Sequence, residues 1–313
     1  MDYDIIGDIH GHSRPLERLL HGLGYRVQGG AYRCDGRRAV FLGDFVDRGP
    51  EIREALAIVR TMVETGSALT VMGNHEYNAI CFHTLRPDEP HRWLRSRTDR
   101  HIHQHIETIY QFRNHHSLWL DHLRWFATLP LFLDLGPIRV VHAAWHEPSL
   151  SILRRFSPEG NVLNDELLFR ATRRGNEEFD AIQNVLKGVE VDLPDAATFV
   201  DKDGHERREM RVRWWENASG RTYDEIAVSA NALGVTRTVS EVDAARITGY
   251  QDRVPVFIGH YWLQEPSPTI LTPYVACLDY SVAKGGYLAA YRFRGERTLS
   301  NDHFVRHTDT GQD

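Results

Sequence analysis

The chain has 313 residues, 42% apolar and 26% charged, which is ordinary for a globular protein and enough for a large core, as one big domain or a domain with an elaborate insertion. A formal net charge of -6 argues against the whole molecule being a nucleic-acid binder and leaves only a local basic groove open. No apolar stretch approaches the ~18 residues of a membrane span, and no basic-then-apolar leader opens the chain, so neither a span nor a signal peptide is expected.

Residues 3–6 predict a strand that runs into Gly7-Asp8-Ile9-His10-Gly11. Leu16, Leu19, Leu20 and Leu23 then share one face of a predicted helix over 15–23, with Ser13 as its cap. Gly29 and Gly30 turn the chain. A second strand, 39–42, leads into Gly43-Asp44-Phe45-Val46-Asp47-Arg48-Gly49. Pro50 opens a helix to about residue 65, with Ile52, Leu56, Val59 and Val63 as its buried stripe. A third strand, 68–72, ends in Gly73-Asn74-His75-Glu76, where another helix starts. This βαβαβ pattern predicts parallel strands with right-handed crossovers, and in such sheets ligands gather at the carboxyl ends of the strands.

Residues 86–130 are rich in His, Arg and Trp and predict helices, a lid or cap inserted between core strands. The core resumes at strand 138–141, which ends on His142. Residues 150–250 form a second long insertion, polar and mostly helical, broken by a turn at Asp201-Lys202-Asp203-Gly204. Strand 254–258 delivers Gly259-His260, and stretches 274–279 and 286–293 predict antiparallel strands that close a second sheet. Cys34, Cys81 and Cys277 are odd in number and lack metal-type spacing, which fits packing roles and a reducing cytoplasm.

The strand ends therefore collect Asp8, His10, Asp44, Asn74, His142 and His260. Oxygen and nitrogen donors without thiolate suit Mn²⁺, Fe or Zn²⁺. Six residues are too many for one ion with an open position and suit two, with Asp44 between them. A two-metal site yields hydroxide near neutral pH and clamps phosphoryl oxygens, so hydroxide attack on phosphorus in line is the expected chemistry. The leaving oxygen needs a proton. His75, next to Asn74, could supply it, with Asp47 orienting the imidazole and Arg48 holding phosphate oxygens.

These motifs, together with Val141-His142-Ala143 and Gly259-His260, resemble the calcineurin-like metallophosphoesterases. Asp47-Arg48-Gly49 and Glu76 are similar to the phosphoprotein phosphatase branch, which also holds bacterial diadenosine tetraphosphate hydrolases. The resemblance implies an α/β fold of four layers, an α/β/β/α sandwich of two mixed sheets flanked by helices. It implies one catalytic domain over residues 1–313, with insertions at about 86–130 and 150–250 as cap and rim. It assigns Asp8, His10 and Asp44 to one metal, and Asp44, Asn74, His142 and His260 to the other. It makes His75 the proton donor, Asp47 its orienting acid and Arg48 a phosphate ligand. A second phosphate Arg is expected from the long insertion, among Arg211, Arg213 and Arg221, with Arg213 the first choice. Cys277-Leu278-Asp279-Tyr280, followed by Gly285-Gly286, resembles the closing strands.

Two departures bear on substrate. Trp262 follows His260-Tyr261 where the family closes on Thr-Pro, and Ala144 replaces the Gly that usually follows Val-His-Ala. The expected enzyme is a metal-dependent phosphoric ester hydrolase with a phosphorylated small molecule, nucleotide or phosphoprotein as partner. Phosphomonoesters, including phosphoserine and phosphothreonine, come first. Dinucleoside polyphosphates are the alternative, and nucleic-acid end processing is a third reading that the net charge disfavours. His residues from 91 to 122 read first as a solvated helix face, with a further metal or a substrate contact as the alternative. Trp214-Trp215 and Tyr261-Trp262 read first as core packing and second as a stacking platform.

Overall fold

Along the strand Asp2–Ile6, alternation sends neighbouring side chains to opposite faces. Ile5 packs with Val40, Leu42, Val71, Val140 and Phe257 between two sheets. Ile6 packs with Phe41, Leu16, Leu20 and Leu56 under helices. One strand thus serves two apolar layers, and the four-layer sandwich follows. The computed structural model describes residues 2–157, 161–194, 197–200, 206–228 and 235–307, so the turn expected at Asp201-Lys202-Asp203-Gly204 lies outside the described residues.

The first sheet runs Asp279–Tyr280, Tyr287–Phe293, Asp2–Ile6, Arg37–Phe41 and Ala68–Thr70, with Phe304–His307 also pairing with Tyr287–Phe293. Asp2–Ile6, Arg37–Phe41 and Ala68–Thr70 are parallel, as the βαβαβ reading requires. Their crossovers are the helices Ser13–Gly22 and Ile52–Glu64. Ser13 does not cap the first helix from the N-cap position. It occupies the first helical position, where its hydroxyl donates to Glu51 Oε2 at 2.8 Å. The second helix starts at Ile52, two residues after Pro50, and buries Met62, while Val63 is half-buried.

The second sheet runs Ile270–Thr272, Val275–Cys277, Val256–Ile258, Arg139–Val141 and Phe132–Asp134. Here the structure corrects the expected tail. Val275–Cys277 joins this sheet in parallel beside Val256–Ile258. Tyr287–Phe293 instead pairs antiparallel with Asp2–Ile6 in the first sheet, with Tyr3 opposite Phe293 and Ile6 opposite Ala290. The strand pattern was local and correct, but which sheet accepts a strand is settled by long-range pairing.

The first insertion contains the helices Asp99–Phe112 and His116–Ala127. The second is more mixed than expected. It holds the helices Asp165–Arg170 and Glu177–Lys187, and two short antiparallel ribbons, including Glu190–Asp192 with Glu209–Arg211. Trp214 and Trp215 are both buried. The Trp214 indole N–H donates to Ala143 O, and Trp215 meets Tyr261 edge-on at 5.4 Å. They brace the loops behind His142 and His260, as the packing reading had it.

Candidate metal centre

Strand ends bend sharply here. His10, Asp44, Asp47, Arg48, His260 and Trp262 all adopt positive φ, between 44° and 74°. Such conformations cost about 1–3 kcal/mol each in non-glycine residues and persist only where the surroundings hold them. Buried carboxylates hold two of them, Glu76 at Asp44 and Asp279 at Trp262. Glu76 is fully buried, and its carboxylate accepts from the backbone N–H of Asp44 (2.8 Å), Phe45 (2.8 Å) and Gly73 (3.0 Å). Burial, then the nearby Asp44, pushes its carboxyl up to about 7. Asp279 accepts from the N–H of Trp262 at 2.8 Å and of Ser281 at 3.0 Å. Sequence reasoning used Glu76 and Asp279 only as marks of resemblance. Nothing local announces a carboxylate that will serve backbone amides far along the chain.

Five of the six expected donors lie together, and Asp8 joins them through the His260 backbone. Asp44 Oδ2 lies 3.6 Å from His10 Nε2 and 3.5 Å from His142 Nε2. Asn74 Oδ1 lies 2.7 Å from His260 Nδ1 and 3.1 Å from His142 Nε2. Asp8 Oδ2 accepts from the His260 backbone N–H at 3.0 Å. Backbone carbonyls fix two imidazoles: His10 Nδ1 donates to Val46 O at 3.0 Å, and His142 Nδ1 to Leu42 O at 2.6 Å. Their Nε2 atoms are thereby turned inward. Donor atoms of Asp44, His142 and His260 lie within 4.8 Å of one another, and so do those of His10, Asp44 and His75. The first group holds three of the residues expected around one ion. The second brings His75 to the place where Asp8 was expected.

Charge is balanced by proximity. Burial drives the Asp8 carboxyl well above the usual range, with Asp279 adding to it. Burial pushes Asp44 up too, but His142 and then His75 outweigh it and hold that carboxyl well below the usual range. His10 is lowered to about 3 by burial, with His75 adding to it, and His260 is lowered by burial with Arg211 next.

His75 and Asp47 meet as expected. His75 Nδ1 donates to Asp47 Oδ2 at 2.5 Å, and His75 Nε2 lies 3.5 Å from Arg48 Nη2. His105 joins them. It is 2% exposed, its Nδ1 donates to Asp47 Oδ1 at 2.6 Å, and its Nε2 sits 3.2 Å from His83 Nε2. The Thr108 hydroxyl donates to the same Oδ1 at 2.6 Å. Despite burial, His105 and His75 hold Asp47 far below the usual carboxylate range. The solvated-face reading therefore fails at His105 and at His122, both buried, though His91 and His103 are exposed.

The Arg48 guanidinium lies over the Trp262 ring at 3.8 Å, so the residue that departs from the resembled closing motif stacks on the arginine expected to bind phosphate. Among the three insertion arginines, Arg213 donates from Nε to Ala227 O at 3.0 Å and lies 3.8 Å from Glu216. Arg221 also pairs with Glu216. Arg211 is the one whose charge depresses His260.

The donor set fits divalent cations on two observations. Asp8 Oδ1, His10 Nε2 and His260 Nε2 are buried without hydrogen-bond partners, and a buried group left so costs roughly 1–3 kcal/mol. Cβ atoms at Gly259 and Gly73 would come within 2.0 Å of Asp8 Oδ1 and 2.2 Å of Asp44 Oδ1, so only glycine lets the backbone approach these carboxylates. The Cys277 thiol meets Gly259 O at 3.4 Å, leaving the converging donors as oxygen and nitrogen.

Comparison with known proteins gives three findings. The family model described as calcineurin-like phosphoesterase matches residues 1–240, which leaves His260 outside the match. Over 76 residues the chain is 45% identical to the bis(5'-nucleosyl)-tetraphosphatase PrpE of Halalkalibacterium halodurans and 42% identical to that of Oceanobacillus iheyensis. Each match covers 24% of this chain, with 31% of the first relative and 30% of the second. Among solved structures, a protein serine/threonine phosphatase from Saccharomyces cerevisiae aligns at TM-score 0.49 and 12% identity, over 98% of this chain and 79% of that one.

Proposed function

We propose a reaction from one premise: the chain belongs to the calcineurin-like phosphoesterase family. The reaction is metal-dependent hydrolysis of a phosphomonoester, with phosphoserine and phosphothreonine as the first candidates. Asp8, His10 and Asp44 would hold one divalent ion, and Asp44, Asn74, His142 and His260 the other. When bound, two such ions, Mn²⁺ foremost with Fe or Zn²⁺ as alternatives, supply positive charge to phosphoryl oxygens and acidify water. Arg48 binds phosphate oxygens through its planar fork. His75 gives a proton from Nε2 to the leaving oxygen, and Asp47 fixes its tautomer by accepting from Nδ1.

One observation carries this reading. The His75 imidazole has its Nδ1 tied to Asp47 at 2.5 Å, and its Nε2 stands 3.5 Å from Arg48 and 3.9 Å from Asp44 Oδ2. A proton donor, a phosphate fork and a metal-type carboxylate share one spot. Dinucleoside tetraphosphate cleavage is the second reading, favoured by the names of the PrpE relatives. For the second phosphate ligand, Arg211 is favoured by a charge that reaches His260, although it is engaged like Arg213, pairing with Glu190 at 3.2 Å where Arg213 donates to Ala227 O.

The test is a Mn²⁺-loaded chain assayed on p-nitrophenyl phosphate, phosphopeptides, diadenosine tetraphosphate and 5'- or 3'-phosphorylated oligonucleotides. Phosphomonoester turnover that disappears in Asp44→Asn is expected. No turnover on any substrate, or full activity in Asp44→Asn, overturns the reading. Preference for diadenosine tetraphosphate selects the second one.

A further inference from the structure

Beside the metal centre lies a pocket of about 680 Å³, within the usual range for small-molecule sites. Arg86, Arg92, Arg95, Arg97, Arg174 and Lys187 line it, and no carboxylate does. Two of these charges are met at the rim: Arg86 pairs with Asp88 and Glu89, and Arg92 with Glu89. Arg97 stacks on Trp93 at 3.4 Å and donates to Phe82 O. The Arg95 and Lys187 side chains are held by neutral oxygens, Gln104 Oε1 and Gln183 Oε1, each at 2.7 Å. Among the described residues, no carboxylate pairs directly with Arg95, Lys187 or Arg174, and Asp47 and Glu190 act on Arg95 and Lys187 only at longer range. Crowding shows in the chemistry of Lys187: burial, and next the Arg95 charge, bring its ammonium down to about 8. Holding such groups together without anions is costly, and a bound polyanion would relieve it.

Two elements of the pocket's walls also support the metal centre. Tyr77, Asn78 and Cys81 line it from the helix Asn74–His83, whose first residues are Asn74 and His75. Asn78 is one turn, about 6 Å, along that helix from Asn74. Lys187 ends the helix Glu177–Lys187, where Val185 O accepts from the N–H of Ala143, the residue after His142.

We infer that this pocket is a second anion site that binds an oligophosphate, a chain of two or more linked phosphate groups. Guanidinium forks match phosphate oxygens in pairs, and several unmatched cations call for a ligand of several charges rather than one. The cations gather in one open pocket of about 680 Å³, whereas a nucleic-acid backbone is tracked by an extended groove. Its link to turnover rests on the hydrolytic reading above, since the helix Asn74–His83 contributes to both the pocket and the candidate metal centre.

The test is calorimetric titration of the full chain, with Mn²⁺ in excess over the probe so that the metal centre stays loaded. The probes are inorganic tripolyphosphate, orthophosphate, adenosine triphosphate and a single-stranded oligonucleotide. In Arg174→Ala/Lys187→Met, tripolyphosphate binding should weaken at least about tenfold, with orthophosphate binding unchanged. Adenosine triphosphate binding as tightly as tripolyphosphate assigns the site to nucleotide tails, and weaker binding assigns it to free chains. Unchanged tripolyphosphate affinity in the variant overturns the inference. So does an oligonucleotide that binds more tightly than tripolyphosphate and is lost in the variant. Arg174→Glu alone, at an exposed position, serves if the double variant does not fold. Loss of tripolyphosphate binding in a chain whose parent hydrolyses nothing would sink the hydrolytic reading and leave this one standing.

Discussion

Asp47 is heavily engaged near the centre, accepting from His75, His105 and Thr108. With one oxygen held by His105 and Thr108, the other is fixed for His75. His75→Asn should keep both metals while turnover falls roughly 10²–10⁴-fold, least for substrates whose leaving groups need little protonation. His105→Asn should give a smaller fall with the same dependence on leaving group, because His105 acts through Asp47. Rates across a series of phenyl phosphates, with metal content measured alongside, decide this. Metal loss from His75→Asn would make His75 a ligand, in keeping with its place beside His10 and Asp44. The ligand loops were legible because each follows an apolar strand and opens on glycine. His105 was not, because several histidines share the segment and helical spacing names a face without saying what it packs against.

At the scale of elements, the first turn of the helix Asn74–His83 works beyond its own cap. Glu76 accepts from the Gly73 N–H, the half of a capping box that glycine permits, and reaches on to the amides of Asp44 and Phe45. Glu76→Gln keeps the size but turns one acceptor into a donor that faces a backbone N–H. Stability should drop by about 1–3 kcal/mol, read from urea unfolding. An unchanged midpoint would mean that these amides find other acceptors. The βαβαβ half could be read from period and glycine alone, since its pairings are between successive strands. The tail could not, because Tyr287–Phe293 finds its neighbour almost the whole chain away.

At the scale of the molecule, we propose one catalytic domain over residues 1–313, with the two insertions as its rim; no described helix is long and apolar enough to cross a membrane. The candidate ligands come from both sheets: Asp8, His10, Asp44 and Asn74 follow strands of the first, and His142 and His260 follow strands of the second. Bound ions would therefore fasten the sheets to each other. Chelation should lower Tm and added Mn²⁺ restore it. Occupancy at a hundred times Kd is worth about 2.7 kcal/mol, and in a large domain each kcal/mol moves Tm by about 2–4 °C. A Tm indifferent to chelator would remove the fastening role. The pairing of Asp2–Ile6 with Tyr287–Phe293 also bears on how the protein is made. The first strand leaves the ribosome early and waits for its partner, and at ~5–20 residues per second that wait is tens of seconds. Until then, one edge of the nascent sheet is open to pairing with a neighbouring chain. Nascent chains halted before residue 287 should be cut readily by protease and captured by chaperones, whereas full-length chains released from the ribosome should resist.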